Sequence, residues 1–456
     1  MTTIESRSPQ APSDLVVRVP DTAPEQVAAA AGRARDAAAG WAREPAPARA
    51  AALHACAEAV AAATGELTDL VVREVGKPLG EAGAEIGRGV AILRYFAQQA
   101  LHPEGEVYPP ADGVSLLHTR RRPHGVVGLI TPWNFPVAIP LWKAAPALAF
   151  GNAVLLKPAP QSSAVALRLA ELFAGALPPG VLTVLTGLAG TGEAIVDASD
   201  AISFTGSVTA GRAVAGRAVT RGIPVQCEMG GQNAAIVLPD ANQGAAAAAI
   251  AAAAMGYAGQ KCTATSRVIV VGDPAPFAER LAAAIDALPV GDPANPATVV
   301  GPLIESRPRE AIRTAVRRAN AGGARVLTGA RQPDGDGWFQ APTLLTDVPP
   351  DDALLSEEYF GPVCVVLPAE SADAAARAAN NVRHGLVAAV YTQNLGTALT
   401  LTNQLDVGMV KVNAPTTGVD FHAPFGGEKE SSYGPREQGT AARDFYTRTV
   451  TVTLTP

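Results

Sequence analysis

Two residues carry reactive groups in surroundings that leave them room to work. Cys262 lies in Gly-Tyr-Ala-Gly-Gln-Lys-Cys-Thr-Ala-Thr-Ser-Arg, residues 256–267. Thirty-four residues earlier, Glu228 lies in Cys-Glu-Met-Gly-Gly-Gln-Asn. A cysteine among glycines and small residues can meet a substrate, and a glutamate beside glycines can swing and carry protons. Together they predict a covalent thiol enzyme whose intermediate is released by an activated water.

Other positions could complete such a site, and each has a plainer alternative. Asn134, in Thr-Pro-Trp-Asn-Phe-Pro (131–136), follows an apolar run and offers an amide N–H to a developing oxyanion. Its alternative is a proline-bracketed turn with an Asn cap. Lys157, in Leu-Leu-Lys-Pro-Ala-Pro (155–160), ends a predicted strand where a cation could meet a ribose or phosphate, or it is a solvated lysine. Phe204-Thr205-Gly206-Ser207 followed by Val208 reads as strand, glycine turn and helix start, a place where backbone N–H groups bind anions. It is neither a G-x-G-x-x-G fingerprint nor a P-loop. Glu357-Glu358-Tyr359-Phe360-Gly361-Pro362 places a carboxylate beside aromatic rings, suited to ribose hydroxyls and a flat ring, or is an exposed acidic turn. The six histidines form no H-E-x-x-H cluster, and no G-x-S-x-G elbow supports a Ser–His–Asp triad.

The chain around these residues is 456 residues long, enough for two or three domains and a large core. Hydrophobic residues make up 48% and charged residues 17%, as in ordinary globular proteins. The net charge of −6 implies no nucleic-acid surface. Cys56, Cys227, Cys262 and Cys364 are widely separated, which argues against a structural zinc or a disulfide scaffold and for a reducing, cytoplasmic setting. The polar, Pro/Ser-rich start lacks a signal-peptide pattern, and the alanine runs are too short or too interrupted to span a membrane.

The elements that must position the site alternate. Residues 24–64 read as two helices broken near Glu44-Pro45-Ala46-Pro47, and a further helical stretch runs from Gly65 to about Ala100. Residues 107–122 read as an exposed strand pair. Strands at 125–130, 153–156, 181–185 and 201–204 alternate with helices closing at Phe150 and spanning 163–174 and 209–219. A second alternation has strands at 234–238, 267–271 and 388–392 and helices at 243–254, 274–287, 308–321 and 370–381. The tail, 446–453, reads as an edge strand. The class is α/β, with doubly wound, mostly parallel sheets.

Taken in order, seven segments resemble the aldehyde dehydrogenase superfamily over essentially the whole chain: Pro132–Pro136, Lys157-Pro158, Phe204–Ser207, Glu228–Gly231, Gly259–Cys262, Glu358–Val363 and Pro424–Gly427. The resemblance implies a Rossmann-like cofactor domain (1–104 and 122–227), a catalytic domain (228–428) and a small β arm for oligomerisation (105–121 and 441–456), assembled as a homodimer or homotetramer. It implies Cys262 as nucleophile, Asn134 with the Cys262 backbone N–H as oxyanion hole, Glu228 as the base for the hydrolytic water, and Lys143 as a supporting lysine. It implies NAD or NADP held by Lys157 and Glu358 at the riboses, with Trp133, Gly206, Ser207 and Phe360 as further contacts.

The chain departs from the family pattern at Pro160, where a Glu commonly binds the adenosine ribose and repels a 2′-phosphate. Losing that carboxylate leaves NADP open beside NAD. The match also begins slightly inside the family's usual N-terminus, which implies a trimmed edge of the cofactor domain. At subgroup level, residues 139–149, 411–419 and 436–439 resemble α-ketoglutaric semialdehyde dehydrogenases. That implies a small anionic semialdehyde entering a mostly apolar pocket of Phe135, Ile139, Trp142, Val419, Phe421 and Phe425, with Lys261 and His422 near its anionic tail. A CoA-acylating dehydrogenase is the near alternative, although such relatives generally lack a glutamate at the Glu228 position. A cysteine esterase or a non-catalytic binding protein on the same scaffold is the distant one.

Overall fold

The apolar runs predicted as buried strands assemble into two sheets, each fed by helices that cover its faces. The structure, a computed structural model, describes residues 3–102, 104–329 and 335–456. The first sheet has six strands in the order Ser432–Tyr433, Val225–Glu228, Ala201–Thr205, Val126–Ile130, Ala153–Lys157, Leu182–Val184. The last five run parallel, and Ser432–Tyr433 is added antiparallel beside Val225–Glu228. Ala153–Lys157 and Ala201–Thr205 are buried at every position. That explains their continuous apolar sequence: a parallel strand covered on both faces has no polar side to show.

Strand order reverses between Val126–Ile130 and Ala201–Thr205. From the former the chain builds outward to 153–157 and 182–184, then returns to build the other side. The carboxyl ends of strands at such a reversal frame the ligand crevice of open α/β sheets. The turns that follow these two strands carry Trp133-Asn134 and Gly206-Ser207.

The second sheet has seven strands in the order Arg325–Val326, Thr343–Thr346, Val363–Ala369, Thr265–Val271, Asn233–Val237, Val387–Tyr391, Met409–Val412. All neighbours are parallel except the first pair. A separate three-stranded sheet joins Thr447–Leu454, Leu116–Pro123 and Val107–Tyr108, with Leu116–Pro123 in the middle. It combines the two segments read as an exposed strand pair and an edge strand.

Besides the strands Thr343–Thr346, Val363–Ala369 and Met409–Val412 and the helix Leu395–Gln404, which the sequence expectation left out, three details differ from it. The helical stretch from Gly65 to Ala100 is two helices, Thr64–Val75 and Leu79–Gln99. Gly76 caps the first in the left-handed region (φ 65°), and a side chain there would lie 2.7 Å from Pro302. Pro78 then starts the second, so the Gly-Lys-Pro break follows ordinary cap chemistry. The helix Ala189–Ala198 was missed, because its Ala-Gly-Thr-Gly start carries no helix signal. The polar N-terminal residues form a hairpin, Thr3–Arg7 with Leu15–Pro20. Its turn is tied down by Gln10 Nε2 donating to the Val72 carbonyl (3.0 Å) and by the Trp338 N–H donating to the Pro9 carbonyl (2.9 Å). No described helix is long and apolar enough to cross a membrane.

Candidate active site

Cys262 is delivered by a turn in left-handed backbone. After the helix Gln243–Met255, Tyr257, Ala258 and Gly259 all take left-handed backbone angles (φ 53°, 52° and 65°). A Cβ at Gly259 would lie 2.6 Å from the Gly361 carbonyl carbon, so glycine is required there. Gln260 fixes the loop: its side chain donates to the Tyr257 and Pro302 carbonyls (3.2 and 3.1 Å) and accepts from the Ile304 N–H (2.8 Å). Asn233 Nδ2 donates to the carbonyls of Cys262 and Ala264, both at 2.8 Å. Asn134, buried in the turn after Val126–Ile130, donates Nδ2 to the Gln260 carbonyl at 3.0 Å. The amide expected as an oxyanion donor is thus anchored two residues from the thiol.

Asn134 and Cys262 line one cleft with Gly206, Ser207, Glu358 and Phe360. It encloses about 1610 Å³, counting its open mouth. Burial pushes the Cys262 thiol up to about 12, and the carboxylates of Glu358 and Glu228 add to the rise. Its own N–H and that of Thr263 oppose it. The protein alone keeps it protonated at neutral pH.

Glu228 ends its strand directly opposite Ser432 in the register and accepts a 2.6 Å hydrogen bond from the Ser432 hydroxyl at Oε2. Its Oε1 abuts Gly426, where a Cβ would come within 2.8 Å. Its neighbours Met229 and Gly230 line the cleft, while its own carboxylate packs behind that wall. Burial holds it well above the ordinary carboxylate range, reinforced by Glu437 and opposed by Ser432, Lys143 and Arg436. Cys227 alternates away, as an extended strand requires, with Sγ 3.6 Å from the Gly211 carbonyl.

Lys143 and Glu437 form a fully buried ion pair next to this carboxylate. Lys143 also donates to Ser203 Oγ at 2.7 Å, and Gln226 donates to the same hydroxyl at 3.0 Å. Glu437 Oε2 has no partner among the described residues. The sequence reading held Glu437 only as part of a subgroup run. Its importance is visible only when the chain folds it onto Lys143, 294 residues away.

The residues expected around a dinucleotide divide into two sets. Ser207 caps the helix Val208–Thr220, its Oγ accepting from Ala210 N at 3.3 Å, which leaves a helix start open to the cleft. The Gly206 N–H donates to the Glu228 carbonyl at 3.0 Å, which ties this turn to the strand end that carries Glu228. Trp133 meets Phe360 edge-on at 5.7 Å, and Phe360 holds a left-handed backbone (φ 47°). Glu358 accepts from the Gly231 N–H at 3.1 Å, and burial pushes it up to about 7. The buried Thr205 hydroxyl in the same cleft has no partner among the described residues. These groups suit a ribose, a phosphate and a flat ring.

Lys157 and Pro160 stand apart from that set. Lys157 is drawn back onto the Pro158 carbonyl at 2.9 Å, and burial lowers it to about 8. Pro160 opens a short 3-10 turn and supplies no carboxylate. The next residue, Gln161, instead reaches across the cleft to hydrogen-bond Glu305. On the other side of Cys262, Lys261 pairs with Glu81 at 2.8 Å.

A sequence profile of the aldehyde dehydrogenase family matches residues 1–452. The chain is 37% identical to the alpha-ketoglutaric semialdehyde dehydrogenase of Bacillus subtilis, over 99% of this chain and 95% of that one. It is 38% identical to the alpha-ketoglutarate semialdehyde dehydrogenase of Haloferax volcanii over the same shares. Its fold matches an NAD-dependent aldehyde dehydrogenase from Sinorhizobium meliloti at TM-score 0.95 and 34% identity, covering 100% of this chain and 91% of that one. It matches a betaine aldehyde dehydrogenase from Staphylococcus aureus in complex with NAD+ at TM-score 0.95 and 28% identity, covering 99% and 91%. With the two-sheet fold and the thiol cleft, these matches carry one conclusion: the chain belongs to the aldehyde dehydrogenase family and is an NAD(P)-dependent aldehyde dehydrogenase.

Proposed function

We propose that the protein oxidises a small anionic semialdehyde to the carboxylic acid and releases the product with water. One observation carries the reading: Cys262 and Asn134 share a cleft with the ribose- and ring-binding groups, and a carboxylate of raised proton affinity lies just behind its wall. The Cys262 sulfur bonds to the aldehyde carbon, and its proton passes to Glu228. Asn134 Nδ2 and the Cys262 N–H hold the oxygen that gains charge, each such donor being worth roughly 3 kcal/mol of barrier. NAD or NADP would be held by Glu358, Phe360, Trp133, Gly206 and Ser207 and would supply the hydride acceptor. Glu228 releases that proton to solvent and then takes one from the water that attacks the thioester; the acid leaves, and the proton on Glu228 returns to the sulfur, restoring the thiol. Lys143 and Glu437 position Glu228 and set its proton affinity.

The semialdehyde assignment rests on the two relatives named for α-ketoglutaric semialdehyde and on the subgroup stretches of the sequence. Glu228 favours water over CoA as the acyl acceptor, and the cofactor groups gathered in the cleft disfavour an esterase or a bare binding scaffold. We assign residues 1–104 and 122–227 to cofactor binding, 228–428 to catalysis, and 105–121 with 441–456 to the arm of a dimer or tetramer, working in the cytoplasm. Open strand edges on that arm favour a partner copy. Pro160 leaves both nucleotides as candidates. The test is aldehyde-dependent formation of NAD(P)H without added CoA, lost in Cys262→Ala. Normal turnover by that variant would remove the covalent mechanism.

A further inference from the structure

Three elements pack on one another where the cleft wall carries Ile139, and they are the candidate walls of a substrate route to Cys262. One is the helix Ala138–Ala149, whose Ile139 lines the cleft with Asn134 and Cys262. The second is the segment from residue 413 to Gly426. Its Phe425 packs on Trp142 at 5.9 Å, and its Gly426 abuts Glu228. The third is the helix Leu79–Gln99. Its Glu85 accepts the N–H groups of Val137 and Ala138 at 2.8 and 2.9 Å, and its Tyr95 meets Phe421 edge-on at 5.7 Å. These walls are largely apolar, so any charged group among them stands out.

Four cationic or titratable groups border this region. Lys261 pairs with Glu81 and Lys411 with Asp420 (3.7 Å). His422 lies edge-on to Phe421 at 5.8 Å. Arg88 differs from the lysines. It is half-buried, one turn beyond Glu85, and Nη1 donates to the neutral carbonyl of Val419 at 2.7 Å. Among the described residues it takes part in no ion pair. A guanidinium has five N–H donors in a rigid fork that fits a carboxylate, so this one keeps donors in reserve where the two walls meet.

We infer that Arg88 is a specificity-determining residue that binds the carboxylate at the far end of the aldehyde substrate. The inference rests on the proposed aldehyde oxidation and adds the group that selects the substrate's anionic tail. Lys261, expected from the sequence near that tail, is already neutralised by Glu81. The Val419 hydrogen bond holds the Arg88 fork at the edge of the apolar route, so an aldehyde group can reach Cys262 while a distal carboxylate stays at the guanidinium.

The experiment compares succinic semialdehyde with butanal, which share a four-carbon chain and differ in the carboxylate. kcat/KM is measured for wild type, Arg88→Met and Arg88→Lys. Methionine keeps the apolar stem and removes the fork. For Arg88→Met, kcat/KM for succinic semialdehyde falls roughly tenfold to hundredfold, mainly through KM, because a charge-assisted pair is lost. Butanal oxidation stays near wild type and doubles as the check on folding, and Arg88→Lys recovers part of the loss. An equal fall with both aldehydes would make Arg88 a pin for the Val419 segment and overturn the inference, as would no change with either. Wild type oxidising neither aldehyde would overturn the proposed function along with it.

Discussion

Replacing Gly230 by alanine drives a methyl group into the Glu358 carboxylate. On the present backbone the new carbon would lie 2.6 Å from Cδ and closer still to Oε2, inside the 3.0 Å limit that real Cβ atoms respect. The carboxylate must therefore retreat, and it cannot do so while accepting the Gly231 N–H at 3.1 Å. A hydrogen bond to a charged group contributes roughly 1.5–3 kcal/mol, and each 1.4 kcal/mol is about tenfold in binding. Gly230→Ala should thus weaken nucleotide binding roughly tenfold to hundredfold, if Glu358 holds a ribose. Calorimetric titration with NAD and with NADP reads the effect, and a wild-type melting curve excludes general unfolding. Glu358→Ala should match it, and the double variant should lose little more, because both changes remove one interaction. Wild-type affinity in a folded Gly230→Ala protein would refute the role given to Glu358.

Two further predictions concern protons. Glu74 accepts the N–H groups of Ala164 and Val165 at the start of the helix Ser163–Phe173, and burial pushes it up to about 7. The folded state then keeps a proton that the unfolded chain releases near its ordinary value of about 4.3. That contribution is full below the unfolded value and is lost as pH rises through about 7, so Glu74→Gln should flatten the decline of urea midpoints between about pH 5 and pH 8. Identical slopes would contradict it. With the Cys262 thiol near 12, its alkylation by iodoacetamide without nucleotide should keep rising with pH beyond about pH 9. A plateau near neutrality would show that the protein alone lowers the thiol.

Much of the architecture was legible because its signals are local. Val126–Ile130 announces a buried parallel strand by unbroken apolar sequence and Ala201–Thr205 by a mostly apolar one, and the Gly-rich turns beside Ser207 and Cys262 announce tight approaches. The break at Gly76-Lys77-Pro78 was legible too and went unread, since helix-forming residues on both sides outweighed it. The helix Ala189–Ala198 was not, because Gly and Thr fill its first turn and tertiary packing decides it. At the site, residue types singled out Cys262, Glu228 and Asn134 as candidates, but their electrostatics depend on distant partners. The proton affinity of Glu228 comes from burial and from Glu437, more than 200 residues on. The retreat of Lys157 onto Pro158, the Gln161–Glu305 contact across the cleft and the pairing of Lys261 with Glu81 are all products of tertiary packing. No spacing in the sequence encodes them.

The central claim is that Glu228 activates the water that frees the acyl group from Cys262. The most direct measurement is rapid-mixing of Glu228→Gln with NAD(P) and an aldehyde, following reduced nucleotide at high pH, where the thiol no longer needs Glu228 as its base. The account predicts a burst of about one reduced nucleotide per site, then turnover slowed roughly 10²–10⁴-fold as the thioester waits for water. Steady turnover at the wild-type rate, with no acyl-enzyme accumulating, would contradict it.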